Sequence, residues 1–159
     1  MPIPKEIIAN HVIIPVIKSM SMYSESAVNL ILGTAAVESD MGHYLKQLSG
    51  GPARGIFGME PVSYNDIVDN WLCYREPLKN HILKSIAICG YDFPNFYEIT
   101  NNYWLAAAMC RIHYYRFSEP LPSKDDVSGM ARYWKKYYNT AKGKGTEKDF
   151  IEKYNYYVK

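Results

Sequence analysis

Helical spacing of the apolar residues is interrupted by one glycine-rich run, Ser49-Gly50-Gly51-Pro52-Ala53-Arg54-Gly55-Ile56-Phe57-Gly58-Met59-Glu60-Pro61. Because Gly-Gly and Gly-Ile-Phe-Gly break helices, residues 42–61 can hold turns or a short hairpin but no long helix. A chain of 159 residues that is 48% hydrophobic is expected to form one core, and no repeat or inter-domain linker divides it. The sequence therefore predicts a mainly α single domain, residues 1–159, of about seven helices with room for a small β-hairpin near residues 42–61.

Capping signals set the expected bounds of the first helices. A helix from about Pro4 to Met20 contains Pro15, which is expected to kink or divide it. Ser24 is a plausible N-cap for the second helix, with Glu25 in its first turn. This helix is expected to end at Ser39 or Asp40, before Gly42.

The remaining helices are predicted from similar start and stop signals. Ser63-Tyr64-Asn65-Asp66 is expected to begin a helix that runs to about Tyr74, and Pro77 lies in the first turn of a helix that Gly90 stops. The most apolar helix is expected to run from Asn101 or Asn102 to about Phe117. The last two helices are expected to begin at Ser123-Lys124-Asp125-Asp126 and at Thr146-Glu147-Lys148-Asp149. The segment Lys142-Gly143-Lys144-Gly145 is predicted to be a surface turn between these last two helices.

Charge and cysteine content exclude several classes of protein. A net charge of +2 is too small for a nucleic-acid protein, so no nucleic-acid partner is expected. Cys73, Cys89 and Cys110 are odd in number and lie in apolar contexts, which favours reduced, buried side chains. No paired Cys/His spacing suggests zinc, and we expect neither a metal nor a cofactor.

The apolar N-terminal stretch from Ile7 to Ile17 does not look like a targeting segment. Asn10, His11 and Pro15 interrupt it, and no small-residue cleavage site follows. It is also too short to span a bilayer. We therefore expect no secretory signal and no stable membrane insertion.

Glu38 is the candidate catalytic residue. On a helix it lies within about 20° of Ile31, at the edge of the stripe formed by Val28, Ile31 and Ala35. A carboxyl group there is partly desolvated, which raises its pKa and suits it to general acid catalysis. The glycine-rich run that follows would let backbone approach a ligand, and Gly55 is expected to need a conformation or a close approach that a Cβ forbids.

Glu38-Ser39, followed after 17 residues by Gly55-Ile56-Phe57-Gly58-Met59-Glu60-Pro61, resembles the pattern of soluble lytic transglycosylases, in the goose-type branch of the lysozyme superfamily. Leu105-Ala106-Ala107-Ala108 resembles the start of a later helix of that family, so the resemblance covers about residues 24–117. It implies a lysozyme-like fold with bacterial peptidoglycan as the partner.

A short chain of this kind also resembles bacteriophage endolysins and virion-associated muramidases. This resemblance implies a monomer made in the host cytoplasm, which acts on the periplasmic or extracellular cell wall. Such a protein reaches the wall through a holin-type pore or is carried in the virion.

The resemblance implies that Glu38 is the catalytic acid and that substrate contacts come from Ser39, Gly55, Ile56, Phe57, Met59 and Glu60. The glutamine of the family pattern falls on Gly58, and its Tyr-Asn pair falls on Met109-Cys110, so these polar groups are missing. His113, Tyr114 and Tyr115, one turn later, could replace them, and Tyr114 is included among the predicted substrate contacts.

Three functions remain open at this stage. As the resemblance implies, a lytic transglycosylase would use Glu38 alone and release a 1,6-anhydro sugar. A hydrolytic lysozyme would need a second carboxylate to hold a water, for which Glu60 and Asp66 are the nearest candidates, although Asp66 is expected to cap a helix. A non-catalytic virion or wall-binding protein of the same fold is the third alternative.

Two further sets of residues have ordinary structural explanations. Helical spacing favours packing for most tyrosines, including Tyr133, Tyr137, Tyr138, Tyr154, Tyr156 and Tyr157. A solvated basic face is expected from Arg132, Lys135, Lys136, Lys142 and Lys144. A secondary expectation is that this face attracts an anionic wall polymer.

Overall fold

The computed structural model describes residues 1–48, 50–86 and 92–159. In these ranges seven helices pack around one core, which confirms the predicted all-α single domain. The predictions that Gly90 stops a helix and that Cys89 is a buried thiol lie outside the described residues.

Helix α1 has three consecutive segments, Lys5–Ile8, a π-helical turn at Ala9–Ile13, and Ile14–Ser19. Pro15 is the second residue after the π turn. Proline offers no N–H and its ring crowds the carbonyl four residues earlier, and the wider π turn accommodates both. The expected division at Pro15 is therefore a change in hydrogen bonding within a helix that continues.

Helix α2, Glu25–Ser39, is the central helix, and its bounds are as predicted. The hydroxyl of Ser24 accepts a hydrogen bond of 3.0 Å from the backbone N–H of Ala27. Asp40 ends the helix in the left-handed conformation, with φ of 49°. Buried residues lie on every side of α2, and Glu38 is in its last turn.

Helix α7, Glu147–Tyr157, packs along α2. It begins with the predicted capping box, in which Thr146 and Asp149 satisfy each other's backbone N–H groups. The two helices meet at Gly33, where a Cβ would lie 2.3 Å from Cζ of Phe150. Gly33 thus allows the Phe150 ring to lie directly on the backbone of α2.

The other helices surround this pair. They are α3, Pro61–Asn70, α4, Glu76–Ser85, α5, Tyr103–Tyr115, and α6, Val127–Trp134, which continues as a π-helical segment, Lys135–Asn139. Short 3-10 turns occupy Leu72–Tyr74 and Phe96–Thr100. Asn102 caps α5 as predicted, and Pro77 lies in the first turn of α4.

Two predicted helix starts were wrong. Ser63 lies inside α3, which begins at Pro61 because the fixed φ of proline suits the first helical position. Asp66 is therefore not a cap, and α3 ends at Asn70, before Tyr74. Helix α6 begins at Val127 rather than near Ser123, because the carboxylate of Asp126 accepts a 2.8 Å hydrogen bond from Gly129 N.

The segment 42–61 contains no strand among its described residues. Two isolated bridges, Lys46 with Arg54 and Arg54 with Met59, replace the predicted hairpin. Gly55 and Gly58 both have positive φ and turn the chain too often for a ladder to extend.

The prediction for the cysteines was correct in part. Cys110 is a buried free thiol, but Cys73 is free and exposed, because its 3-10 turn lies at the surface. Within the described ranges, the structure contains no helix whose length and apolar character would allow it to cross a membrane.

Candidate functional site

A cleft of about 640 Å³ lies between two walls of the domain. One wall consists of lining residues from the end of α2 and from the segments 44–47, 53–55 and 58–63. The other consists of Trp134 and lining residues from the segment 138–145, and His113 also lines the cleft. Glu38 is part of the first wall. The acidic residue singled out in the sequence therefore lies in a cavity large enough for several sugar-sized groups.

The carboxyl group of Glu38 has a raised pKa. Burial is the main cause, since it penalises the charged form, and the nearby charge of Glu60 adds to it. A hydrogen bond from the indole of Trp134 to Oε1, 2.9 Å long, acts in the opposite direction. The balance places the pKa of Glu38 at about 7, so the side chain can both donate and accept a proton near neutral pH.

Trp134 is fixed in the position from which it holds Glu38. Its side chain is 1% exposed, and its ring lies 5.6 Å from that of Phe150, centroid to centroid. On another side, Gly145 approaches so closely that a Cβ there would lie 2.8 Å from Cη2 of Trp134. The indole N–H is thus held toward the carboxyl group by packing.

The glycine-rich segment lies directly on Glu38. Gly58 has φ of +57°, and a Cβ there would lie 2.8 Å from Cβ and 2.9 Å from Oε2 of Glu38. A side chain is therefore excluded at Gly58, and the amide of the resembling family pattern has no counterpart here for a steric reason. The backbone of Gly58 forms part of the surface against which the acid packs.

Gly55 has a structural role that was only half anticipated. Its φ of +77° confirms the predicted need for a left-handed conformation, and a Cβ would lie 2.6 Å from the carbonyl oxygen of Ile99. The close approach is therefore to the protein's own backbone rather than to a ligand. A substitution such as Gly55→Val is expected to destabilise the domain as a whole.

The predicted substrate contacts fall into two groups. Gly55, Met59 and Glu60 line the cleft beside Glu38. In contrast, the side chains predicted as contacts at Ser39, Ile56, Phe57 and Tyr114 are buried and are not part of the cleft lining.

For these four residues the structure corrects the prediction. Ser39 Oγ donates to the carbonyl of Ile56 at 2.6 Å and accepts from Gly42 N at 2.8 Å, so it ties α2 to the loop. Tyr114 is 1% exposed, and its hydroxyl is 2.7 Å from that of Thr34. Ile56 and Phe57 belong to the core beneath the cleft.

Of the two candidates for a second carboxylate, one lies in the cleft lining and the other does not. Asp66 accepts hydrogen bonds from Arg116, at 2.6 Å, and from Asn70, at 2.8 Å, which lower its pKa. It is not among the cleft-lining residues. Glu60 lines the cleft and influences Glu38, so it is the second carboxylate that the geometry leaves in place.

Of the three suggested replacements for the missing polar pair, only His113 reaches the cleft. Burial lowers its pKa to about 4, so the ring is neutral, and its Nε2 lies 2.7 Å from the carbonyl oxygen of Tyr137. That hydrogen bond leaves Nδ1 as an acceptor without a partner among the described residues. Tyr115 is exposed and packs against Trp71, away from the cleft lining.

Sequence reasoning missed the second wall of the cleft. Tyr138, which was assigned to packing, lines the cleft and donates from its hydroxyl to the carbonyl of Phe57 at 2.8 Å. Lys135, assigned to a solvated basic face, donates to Asn139 Oδ1 and to the carbonyls of Gly143 and Gly145, at 2.6, 2.9 and 2.7 Å. The predicted surface turn 142–145 is thus a fixed part of the site.

Three other members of the basic face and the tyrosine set have structural roles, whereas Tyr156 is exposed. Lys136 pairs with Glu119, and Tyr133 and Tyr154 are buried, as packing predicts. Among the described residues, no cluster of three or more His, Cys, Asp or Glu side chains could hold a metal ion.

The fold and the site together define an all-α single domain with a cleft that holds a carboxyl group titrating near neutral pH. Comparisons with protein-family models, with curated proteins and with solved structures found no match to this chain.

Proposed function

We propose that this protein cleaves the β-1,4 bond between N-acetylmuramic acid and N-acetylglucosamine in bacterial peptidoglycan, as a lytic transglycosylase with Glu38 as the single general acid and base. The observation that carries the proposal is the carboxyl group of Glu38, held by Trp134 in the cleft with a pKa of about 7. The resemblance of residues around Glu38 and Gly55 to that family supports the choice of substrate.

The proposed reaction has two steps and needs no second carboxylate. In the first, Glu38 donates its proton to the glycosidic oxygen, and the bond from that oxygen to C1 of the muramyl residue breaks. In the second, the carboxylate of Glu38 removes the proton of the muramyl 6-hydroxyl, whose oxygen bonds to C1. Glu38 is then protonated again, and the product carries a 1,6-anhydro ring without consumption of water.

A pKa near 7 suits both steps. A carboxyl group with an ordinary pKa would be almost wholly ionised at neutral pH and could not start the reaction. A carboxyl group with a much higher pKa would keep its proton at neutral pH, but it would be a weaker acid and would donate that proton less readily in the first step. Burial and the Trp134 hydrogen bond, acting in opposite directions, bring Glu38 close to the optimum for general acid–base catalysis.

A hydrolytic lysozyme is the second candidate, and the position of Glu60 is what favours it. Glu60 lines the same cleft, and its charge raises the pKa of Glu38. From this position it could orient a water toward C1. The same bond would be cleaved, but the product would carry an ordinary reducing end.

As part of the same proposal, the protein acts as a monomer on the cell wall during phage-type lysis or wall penetration. It reaches the wall through a holin-type pore or with the virion. The resemblance to phage endolysins and virion-associated muramidases supports this role.

Mass spectrometry of purified peptidoglycan digested by the protein tests the proposal. Fragments with 1,6-anhydro ends are expected, and fragments with reducing ends would favour the lysozyme. The Glu38→Gln variant is the control, because it keeps the size of the side chain and its hydrogen-bond acceptor but has no proton to give. We expect it to lose about 10²–10⁴-fold in activity, and a variant that digests the wall at the wild-type rate would contradict catalysis by Glu38.

A further inference from the structure

The charged residues of the cleft are mostly basic. Lys46 lies on the wall that carries Glu38, and Lys142 and Lys144 lie on the opposite wall. Glu38 and Glu60 are the acidic residues in the lining, and Glu38 is protonated below its pKa of about 7. In the form that can donate a proton, the cleft thus has three positive charges against one negative charge.

The three lysines are not neutralised by the protein. In the part of the chain that the structure describes, no carboxylate lies within 4.0 Å of their ammonium groups, although other exposed lysines, such as Lys124 and Lys136, have such partners. All three side chains are exposed. Their charges are therefore available to a ligand in the cleft.

The second wall holds its two lysines in a defined position. The ammonium group of Lys135 is hydrogen-bonded to Asn139 and to the carbonyls of Gly143 and Gly145, on both sides of Lys144. A loop fastened in this way presents Lys142 and Lys144 at the cleft without a large loss of backbone entropy when a ligand binds.

We propose that Lys46, Lys142 and Lys144 bind carboxylate groups of the substrate, so that the cleft prefers an acidic glycan to a neutral one. This inference rests on the proposed function and restricts its substrates to glycans that carry acid groups. Muramyl residues carry peptides with free carboxylates, whereas a neutral polymer of N-acetylglucosamine has the same β-1,4 linkage and no acid group. Lysines on both walls allow acid groups on either side of the bound chain to be contacted.

A general attraction between a basic protein and an anionic polymer is the competing explanation. It depends on net charge, and it is screened over about 10 Å at 0.1 M salt. Binding by the cleft lysines depends on where the charges are. Two pairs of substitutions that change the net charge equally can therefore separate the two explanations.

The test measures binding by calorimetry in the Glu38→Gln background, which prevents cleavage. Three probes are compared: a muramyl-peptide tetrasaccharide with free carboxyl groups, the same compound with its carboxyl groups amidated, and the tetrasaccharide of N-acetylglucosamine. The variant is Lys142→Gln with Lys144→Gln. The matched control is Lys18→Gln with Lys84→Gln, two exposed lysines outside the cleft lining.

We expect the acidic probe to bind about three- to tenfold more tightly than its amidated form, the range of one or two partly exposed charge contacts. This ratio should fall markedly toward one in the Lys142/Lys144 variant, which keeps only Lys46 of the three, and should stay unchanged in the control. Equal ratios in all proteins, with saccharide still bound, would overturn the inference and leave the proposed function standing. Failure to bind any of the three saccharides would reject the proposed function together with the inference.

Discussion

The indole Nε1 of Trp134 donates a hydrogen bond of 2.9 Å to Oε1 of Glu38, a residue 96 positions earlier in the chain. This bond is stronger to a carboxylate than to a carboxyl group, so it lowers the pKa that burial raises. Trp134 is therefore a positioning residue that also adjusts the pH range in which Glu38 holds its proton.

We predict that Trp134→Phe raises the pKa of Glu38, because the ring is largely kept and the donor is lost. In the wild type, kcat/KM should fall as the pH rises through about 7, the pKa of the acid in the free enzyme. In the variant this falling limb should move to higher pH. Trp104→Phe, in α5 and outside the cleft lining, is the matched control and should leave the limb in place. An unmoved limb in Trp134→Phe would show that the bond has no influence on the acid.

A second prediction concerns stability and does not depend on the reaction. The pKa of Glu38 is about 7 in the folded protein and 4.5 in the unfolded chain, so the folded state binds the proton more tightly. Stability from this group is complete below pH 4.5 and is lost as the pH rises to about 7. Glu38→Gln avoids the loss, so its free energy of unfolding should exceed that of the wild type by up to about 3 kcal/mol above pH 7.

Denaturant unfolding of both proteins at pH 4, 6 and 8 measures this difference. The difference between the variant and the wild type should rise across the series. A constant difference would mean that the carboxyl group titrates alike in the folded and unfolded chains.

The third prediction separates the two mechanisms. If Glu60 only flanks the cleft, Glu60→Gln should keep at least about a tenth of the activity, because no general base is lost. Since the charge of Glu60 raises the pKa of Glu38, the falling limb of kcat/KM should move to lower pH. Fragments should still carry anhydro ends. A thousandfold loss, with reducing ends from the wild type, would identify a hydrolytic lysozyme.

The fourth prediction uses two glycines with the same backbone requirement. Gly58→Ala places a Cβ against Glu38, whereas a Cβ on Gly50, which has φ of +76°, would meet no described atom within 4 Å. Both alanines should cost about 1–2 kcal/mol of stability for a left-handed conformation. We expect only Gly58→Ala to lose activity, by at least about tenfold, because Glu38 must move. Equal activities in the two variants would show that the contact with Glu38 is irrelevant to the reaction.

The local parts of the fold could be predicted from sequence. Ser24, Asn102 and Thr146 were correctly identified as caps because their hydrogen bonds join residues three positions apart. Pro61 overrode the signal at Ser63 because its fixed φ suits the first helical position. Asp126 overrode the signal at Ser123 because its carboxylate accepts a hydrogen bond from Gly129 N. Glu38 was singled out because helical spacing puts it at the edge of an apolar stripe and the glycine-rich run with its family-like spacing follows it.

The second wall of the cleft could not be predicted in this way. Trp134 meets Glu38 only after the helices have packed, and nothing in the residues around either one indicates the contact. The spacing of Tyr138 and Lys135 is equally compatible with ordinary packing or a solvated helix face. Both side chains donate to backbone carbonyls, which every residue carries, so the sequence does not reveal these partners. Pairing across a domain depends on packing that local spacing does not encode.

Lys135 fastens the loop through the carbonyl oxygens of Gly143 and Gly145, and not through the side chains between them. The side chains at positions 142 and 144 can therefore be replaced without loss of the hydrogen bonds that hold this wall in place. In evolution or in the laboratory, this part of the cleft wall can change its side chains while its backbone arrangement is conserved. A library randomised at these two positions would sample new ligand preferences on an unchanged scaffold.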